Sequence, residues 1–174
     1  MEKGIAMEVK KRYISLYVEN RIGVLAKISG LLAGKSYNLD TLTVGETEDP
    51  TISRMTIGLT IDDVTFEQVK KQLNRCVVVI KVIDLSGVKI HKKELLFIKV
   101  SSCSEKDKAE IFRIAQAFDL EVIDYDRRRV IVQCVKTEGA NNDMITLFND
   151  IFVNRIEVVR GGSVAMEAIS TQNQ

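Results

Sequence analysis

The chain has 174 residues, 45% hydrophobic and 28% charged, a balance that suits one medium or two small globular domains. With 25 basic and 24 acidic side chains the net charge is +1, so no global field draws the protein towards nucleic acid or an anionic membrane. The longest apolar runs, such as Val77 to Ile80, fall far short of the ~20 residues that span a bilayer, and Met1 to Arg12 is charged, without the apolar core of a signal peptide.

Residues 1–10 read as a flexible lead-in. Tyr13 to Val18 is β-rich and mostly apolar, a buried strand. Glu19-Asn20-Arg21-Ile22-Gly23 is a polar turn, after which Val24, Leu25, Ile28, Leu31 and Leu32 recur at helical spacing. Gly34 sits where a left-handed C-terminal stop belongs. Asn38 to Val44 is a second strand, and Glu46 to Pro50, with the only proline, an exposed acidic turn. From Ser53 to Ile61, Met55, Ile57, Leu59 and Ile61 alternate with Arg54, Thr56, Gly58 and Thr60, the period of a half-buried strand. Asp62-Asp63 caps a second helix, in which Thr65 and Gln68 can form a capping box and Phe66, Val69 and Leu73 make the inner stripe. Val77 to Leu85 completes a β-α-β-β-α-β order.

The second half repeats it. The elements are a strand at Glu94 to Val100, a helix at Glu105 to Phe118 and a hairpin of Leu120 to Tyr125 with Val130 to Val135. A helix at Asn141 to Phe152 and a strand at Ile156 to Arg160 follow. In the first of these helices Ala109, Ile111, Phe112, Ala115 and Phe118 are expected to turn inward, and in the second Ile145, Phe148 and Phe152. The fold class is α+β, two tandem ferredoxin-like (βαββαβ) sandwiches: residues 11–85, a short polar linker at 86–93, and residues 94–170.

Little in the chain suggests catalysis. Its one histidine, His91, lies in the linker, so no serine or cysteine has an evident base partner, and neither G-x-x-x-x-G-K-[ST] nor G-x-G-x-x-G occurs. Cys76, Cys103 and Cys134 are odd in number and widely spaced, which argues against disulfides or a zinc site and for reduced thiols in a cytoplasmic protein. Arg127-Arg128-Arg129 reads either as a solvated hairpin tip neutralised by Asp124 and Asp126, the favoured reading, or as a phosphate-binding patch. The element order is also that of an RNA-recognition module, but the Ser53 to Ile61 strand lacks the aromatics on which bases stack.

The informative segment is Glu19 to Leu25. A helix's first turn has unpaired N–H groups and a positive dipole end, where a carboxylate can dock. Gly23 lets a ligand approach the backbone, and Asn20 offers donors and an acceptor to an amino acid's charged ends. On residues alone a second reading stands beside this one, in which Asn20 only caps the helix and Gly23 only eases the turn.

Residues 11–84 resemble an ACT domain, and the whole chain resembles the small regulatory subunits of acetohydroxyacid synthase (acetolactate synthase). The matching strings are Val18-Glu19-Asn20-Arg21-Ile22-Gly23-Val24-Leu25, Tyr37-Asn38-Leu39-Asp40-Thr41-Leu42-Thr43-Val44 and Asp49-Pro50-Thr51-Ile52-Ser53-Arg54-Met55-Thr56-Ile57. In the second half Lys93 to Val100 and Glu121 to Asp124 also match. The chain departs from the family at Ser36, where glycine is common, and in Arg160-Gly161-Gly162-Ser163 near the C-terminus.

The resemblance implies a non-catalytic cytoplasmic subunit that pairs through its ACT domains as a homodimer and activates a catalytic subunit. It also implies feedback inhibition by valine or a related branched-chain amino acid, bound at Asn20, Ile22, Gly23, Val24, Leu25 and Asn38. Pro50, Ser53, Arg54 and Met55 are the implied contact with the catalytic subunit. That subunit carries thiamine diphosphate, FAD and Mg²⁺; this chain is expected to carry none of them, and to bind neither nucleic acid nor membrane. The alternative is a stand-alone ACT-type sensor acting on another partner.

Overall fold

A computed structural model describes residues 8–33, 37 and 39–169. Gly34, Ser36 and Asn38 lie outside the described residues, as do most of the expected lead-in and the last residue of the expected second domain. The elements are β1 (Lys10–Glu19), α1 (Val24–Ala33), β2 (Leu39–Glu46), β3 (Ile52–Ile61), α2 (Asp63–Asn74) and β4 (Val79–Asp84). The second set is β5 (Ile90–Val100), α3 (Glu105–Phe118), β6 (Glu121–Tyr125), β7 (Val130–Lys136), α4 (Glu138–Ile151) and β8 (Ile156–Glu167). Each set forms one four-stranded sheet, ordered β2-β3-β1-β4 and β6-β7-β5-β8, which is the α+β double sandwich read from the sequence. The chain divides into two compact units, Lys92–Val164 and a first unit holding the residues up to His91 together with those from Ala165 on.

In the first unit β1 and β3 are the central pair, antiparallel from Lys10 opposite Ile61 to Glu19 opposite Ile52. Their inward residues Ile14, Leu16, Val18, Met55, Ile57 and Leu59 pack on Ile28 and Leu32 of α1 and on Phe66, Val69 and Leu73 of α2. The period of two led to an expectation that β3 is half-buried, yet Thr56 is also buried, as is Ser15 beside it on β1. The outer face has its own apolar cluster, Tyr13, Leu85 and Ala165 with Ile83 and Ile90. The last residues of β8 therefore belong to this unit, and the Ala168 N–H donates to the Lys89 carbonyl at 2.9 Å. Gly58 makes room for its neighbours: a Cβ there would lie 2.6 Å from Thr41 Oγ1 and 3.1 Å from Tyr13 Cε1, so both side chains would have to shift.

Other expectations shift at element ends. β5 begins at Ile90, inside the stretch read as a linker, because Ile90 packs on the outer cluster of the first unit. β1 begins at Lys10, inside the stretch read as a lead-in. The cap of α2 is Asp62, one of the two aspartates read as capping this helix, and its carboxylate accepts from the Thr65 N–H at 2.9 Å; the expected Thr65–Gln68 box does not supply the cap. In α3 the inward stripe is Ile111, Ile114 and Ala115. Ala109, Phe112 and Phe118 are exposed, and Phe112 meets Tyr125 edge to face with ring centroids 5.7 Å apart. An apolar stripe wider than the available sheet leaves its margins outside.

The second unit packs Leu96, Ile98, Val100, Val130, Val132 and Cys134 against Ile111, Ile114, Phe148 and Phe152. It also buries a charge. Glu94 is 2% exposed and accepts from Arg160 Nε at 3.1 Å, from a terminal Arg160 nitrogen at 2.7 Å and from Asn141 Nδ2 at 3.0 Å. Asn141 Oδ1 in turn accepts from the Cys134 thiol at 3.0 Å. The network joins β5, β7, α4 and β8 across the sandwich. Cys76, Cys103 and Cys134 are unbridged and buried, and burial raises the thiol pKa of Cys103 and Cys134. Among the described residues no helix is long and apolar enough to cross a membrane, and no cluster of His, Cys, Asp and Glu could hold a metal ion.

Two predictions follow from this packing. Arg160→Ala leaves the Glu94 carboxylate buried without its cation; the expected loss is about 3 kcal/mol, read as a lower urea midpoint. The second concerns Asp107, which closes the capping box of α3 with Ser104 and pairs with Arg155 at 3.0 Å. The hydrogen bonds from Arg155 and then Ser104 hold its carboxyl well below the usual range. A carboxyl with a depressed folded-state pKa stabilises fully above its unfolded value, near 4, and loses that contribution as pH falls through the folded value. The stability gap between the parent protein and Asp107→Asn should thus be widest near pH 7 and close progressively below about pH 4 in acid denaturation.

Candidate effector site

The β1–α1 turn leaves the sheet at Glu19 and enters the helix at Val24. The first intrahelical bond runs from the Lys27 N–H to the Gly23 carbonyl at 3.0 Å, so Gly23, not Asn20, occupies the cap position. Gly23 sits at φ +85°, a left-handed conformation natural to glycine, and a Cβ added there would meet nothing within 4 Å. A glycine cap has no side chain to accept from the first-turn N–H groups. Asp62, Ser104 and Thr137 do accept in that way at α2, α3 and α4. The mouth of α1 therefore combines open space with helical donors that its own cap residue does not satisfy.

Asn20 is committed elsewhere. Its Nδ2 donates to Glu46 Oε1 at 2.8 Å and to the Pro50 carbonyl at 2.9 Å, and its backbone N–H donates to the Thr51 carbonyl at 2.7 Å. Three bonds thus tie the β1–α1 turn to the β2–β3 turn. With both amide hydrogens engaged, the polar atom Asn20 still offers is its acceptor oxygen. The β2–β3 turn is braced internally: Asp49 Oδ1 accepts from the Thr51 hydroxyl at 2.7 Å and the Thr51 N–H at 2.8 Å, which lowers the Asp49 pKa. In the sequence Glu46 reads only as part of an acidic turn. Its contact with Asn20 depends on the pairing of β2 with β3, which has no local signature.

The structure sorts the other expected site residues. Ile22 is fully exposed and Leu25 is 44% exposed, both beside the open helix mouth. Val24 is 4% exposed and its side chain is core, so only its backbone faces the turn. Asn38 lies outside the described residues. Of the residues expected to contact a partner subunit, Met55 is 1% and Ser53 6% exposed; the β3 register turns both inward, and neither presents a side chain. Pro50 is exposed. Arg54 lies on the outer face, its Nε donating to Ser15 Oγ at 2.8 Å and its guanidinium 5.3 Å from the Tyr17 ring centre.

A βαββαβ sandwich with a glycine-opened turn between its first strand and helix has the features of an ACT-type sensing domain. A family profile described as the AHAS small subunit-like ACT domain matches residues 14–81, and one described as the small subunit of acetolactate synthase matches residues 93–169. The acetolactate synthase small subunit of Aquifex aeolicus is 40% identical over 91% of this chain and 82% of its own. The isozyme 3 small subunit of Escherichia coli is 32% identical over 90% and 94%. The crystal structure of the acetolactate synthase small subunit of Thermotoga maritima superposes with a TM-score of 0.83 at 31% identity, covering 91% of this chain and 98% of that one. The chain belongs to the family of small, regulatory subunits of acetolactate synthase.

The site geometry sets a check on Gly23. Gly23→Ala meets no steric clash, so its cost is the left-handed backbone alone, about 1 kcal/mol. Thermal unfolding should show that modest loss, with the far-ultraviolet circular dichroism unchanged.

Proposed function

We propose that this chain activates the catalytic subunit of acetolactate synthase and confers feedback inhibition by valine or a related branched-chain amino acid, with no acetolactate-forming activity of its own. The observation that carries the reading is the glycine-capped N-terminus of α1, whose cap has no side chain, on a turn that Asn20 ties to the β2–β3 turn. The effector carboxylate docks on the first-turn N–H groups around Gly23, and the helix dipole favours its charge. The Asn20 amide oxygen, its hydrogens held by Glu46 and Pro50, faces the ammonium. Ile22 and Leu25 supply apolar surface for a branched side chain. Asn38 of a second copy completes the site when two ACT domains join their sheets through exposed edge strands, β2 and β4 being the edges of the first sheet.

Pro50 and Arg54, rather than the buried Ser53 and Met55, contact the catalytic subunit. Thiamine diphosphate, FAD and Mg²⁺ belong to that subunit. The effector shifts the complex only by its differential affinity for two states of the assembly.

The test is acetolactate formation from pyruvate by the catalytic subunit with and without this chain, and with valine. Added chain should raise the rate and make it valine-sensitive, while the chain alone should turn over no pyruvate. Losing one hydrogen bond to a charged ligand group costs about 1.5–3 kcal/mol, so Asn20→Ala should weaken valine binding roughly 10- to 150-fold by calorimetry. Gly23→Asp, which puts negative charge beside the ligand carboxylate, should do worse. Both should still activate the partner. Unchanged valine affinity in both variants places the effector elsewhere.

A further inference from the structure

The tip of the β6–β7 hairpin borders a basic, open cleft that the effector reading leaves unused. Asp126 fixes the tip: its Oδ1 accepts from the Arg128 N–H at 2.8 Å and the Arg129 N–H at 2.7 Å. Its Oδ2 accepts from Arg129 Nε at 2.8 Å and a terminal Arg129 nitrogen at 2.6 Å. These bonds, that from the Arg129 side chain foremost, lower the Asp126 pKa to about 2, so Asp126 stays ionised and in place at neutral pH.

The tip is also tied to the loop after β5, where the Cys103 N–H donates to the Arg128 carbonyl at 2.7 Å. That loop is held in turn by Arg155, which donates to the Ser102 carbonyl at 3.1 Å, with Ser102 at φ +56°. Between tip and loop lies an open cleft of about 600 Å³, lined by Ser101, Ser102, Asp126, Arg127, Arg128 and Arg129. One carboxylate faces three guanidinium groups there, and that carboxylate is engaged by Arg129. Among the described residues Arg127 and Arg128 have no ion-pair partner. Two uncommitted cations and two serine hydroxyls on a braced backbone are the chemistry that holds phosphoryl oxygens.

We infer that this cleft of the second domain binds a phosphorylated small molecule, with Arg127 and Arg128 pairing its phosphoryl oxygens and Ser101 and Ser102 donating hydroxyls. The cleft is lined entirely by residues of the Lys92–Val164 unit, so it is a ligand site separate from the β1–α1 turn. A small ligand fits better than an acidic protein face, because Ser101, Ser102 and the three arginines line one open depression between the hairpin tip and the loop after β5.

Calorimetry of the full chain with inorganic pyrophosphate and, separately, orthophosphate tests the inference, with the double variant Arg127→Ala/Arg128→Ala as comparison. The backbone bonds of the tip survive this change, so the variant should fold as the parent does. Pyrophosphate should bind saturably and more tightly than orthophosphate, since two guanidinium groups can span two phosphoryl groups. The double variant should weaken that binding by about tenfold or more, while leaving valine binding untouched. The inference is overturned if pyrophosphate does not saturate, or binds the double variant equally well. It is also overturned if the double variant loses only activation of the catalytic subunit, because the arginines then meet an acidic protein surface.

Discussion

The antiparallel register of β1 with β3 is the constraint on which the first domain depends. Pairing that runs from Lys10–Ile61 to Glu19–Ile52 sets Tyr13 over Gly58, Ser15 beside Thr56 and Tyr17 under Arg54. The same register delivers Asn20 to the far end of the ladder, where its N–H reaches Thr51 and its side chain reaches Glu46 and Pro50. A slip of one residue would turn every side chain of one strand to the other face. Ser53 and Met55 would then point outward, and Asn20 would lose its partners. The geometry of the turn is thus inherited from the central strands rather than built by the turn itself.

The second domain uses the same topology with different chemistry inside. Its sandwich is crossed by Glu94, Arg160, Asn141 and Cys134, a hydrogen-bonded chain that specifies how β5, β8 and α4 meet. Buried polar groups of this kind are expensive unless each finds its partner, and here the carboxylate is met by a bidentate guanidinium and an amide. The pairing raises the Arg160 pKa, so the cation persists at any ordinary pH. At the opposite side of the domain, Asp107 and Arg155 do similar work at partial exposure, locking the start of α3 to the turn before β8.

Asn20 joins two turns of the first domain. Whatever docks on the first turn of α1 lies next to Asn20, and Asn20 is bonded to the β2–β3 turn that leads into Arg54. The Asp49–Thr51 bonds keep that second turn stiff.

Much of this protein is local information. The two βαββαβ orders, the inner stripe Phe66, Val69 and Leu73, the hairpin around Asp126 and the glycine at the mouth of α1 are each written within a few residues, by apolar period and turn chemistry. The strings around Asn20 and Ser53-Arg54-Met55-Thr56 carried the family likeness. What the tertiary structure decided is non-local. Asn20 could cap a helix or brace a distant turn, and only strand pairing settled that it braces the turn. Val24, Ser53 and Met55 look available in a motif and are buried in the fold, because a side chain's face depends on the register of its strand or the seat of its helix. The outer-face cluster around Tyr13 and Leu85 required a segment far later in the chain, Ala165, to join the first domain. Periodicity reports one face of an element; what covers the other face is set by parts of the chain that periodicity does not see.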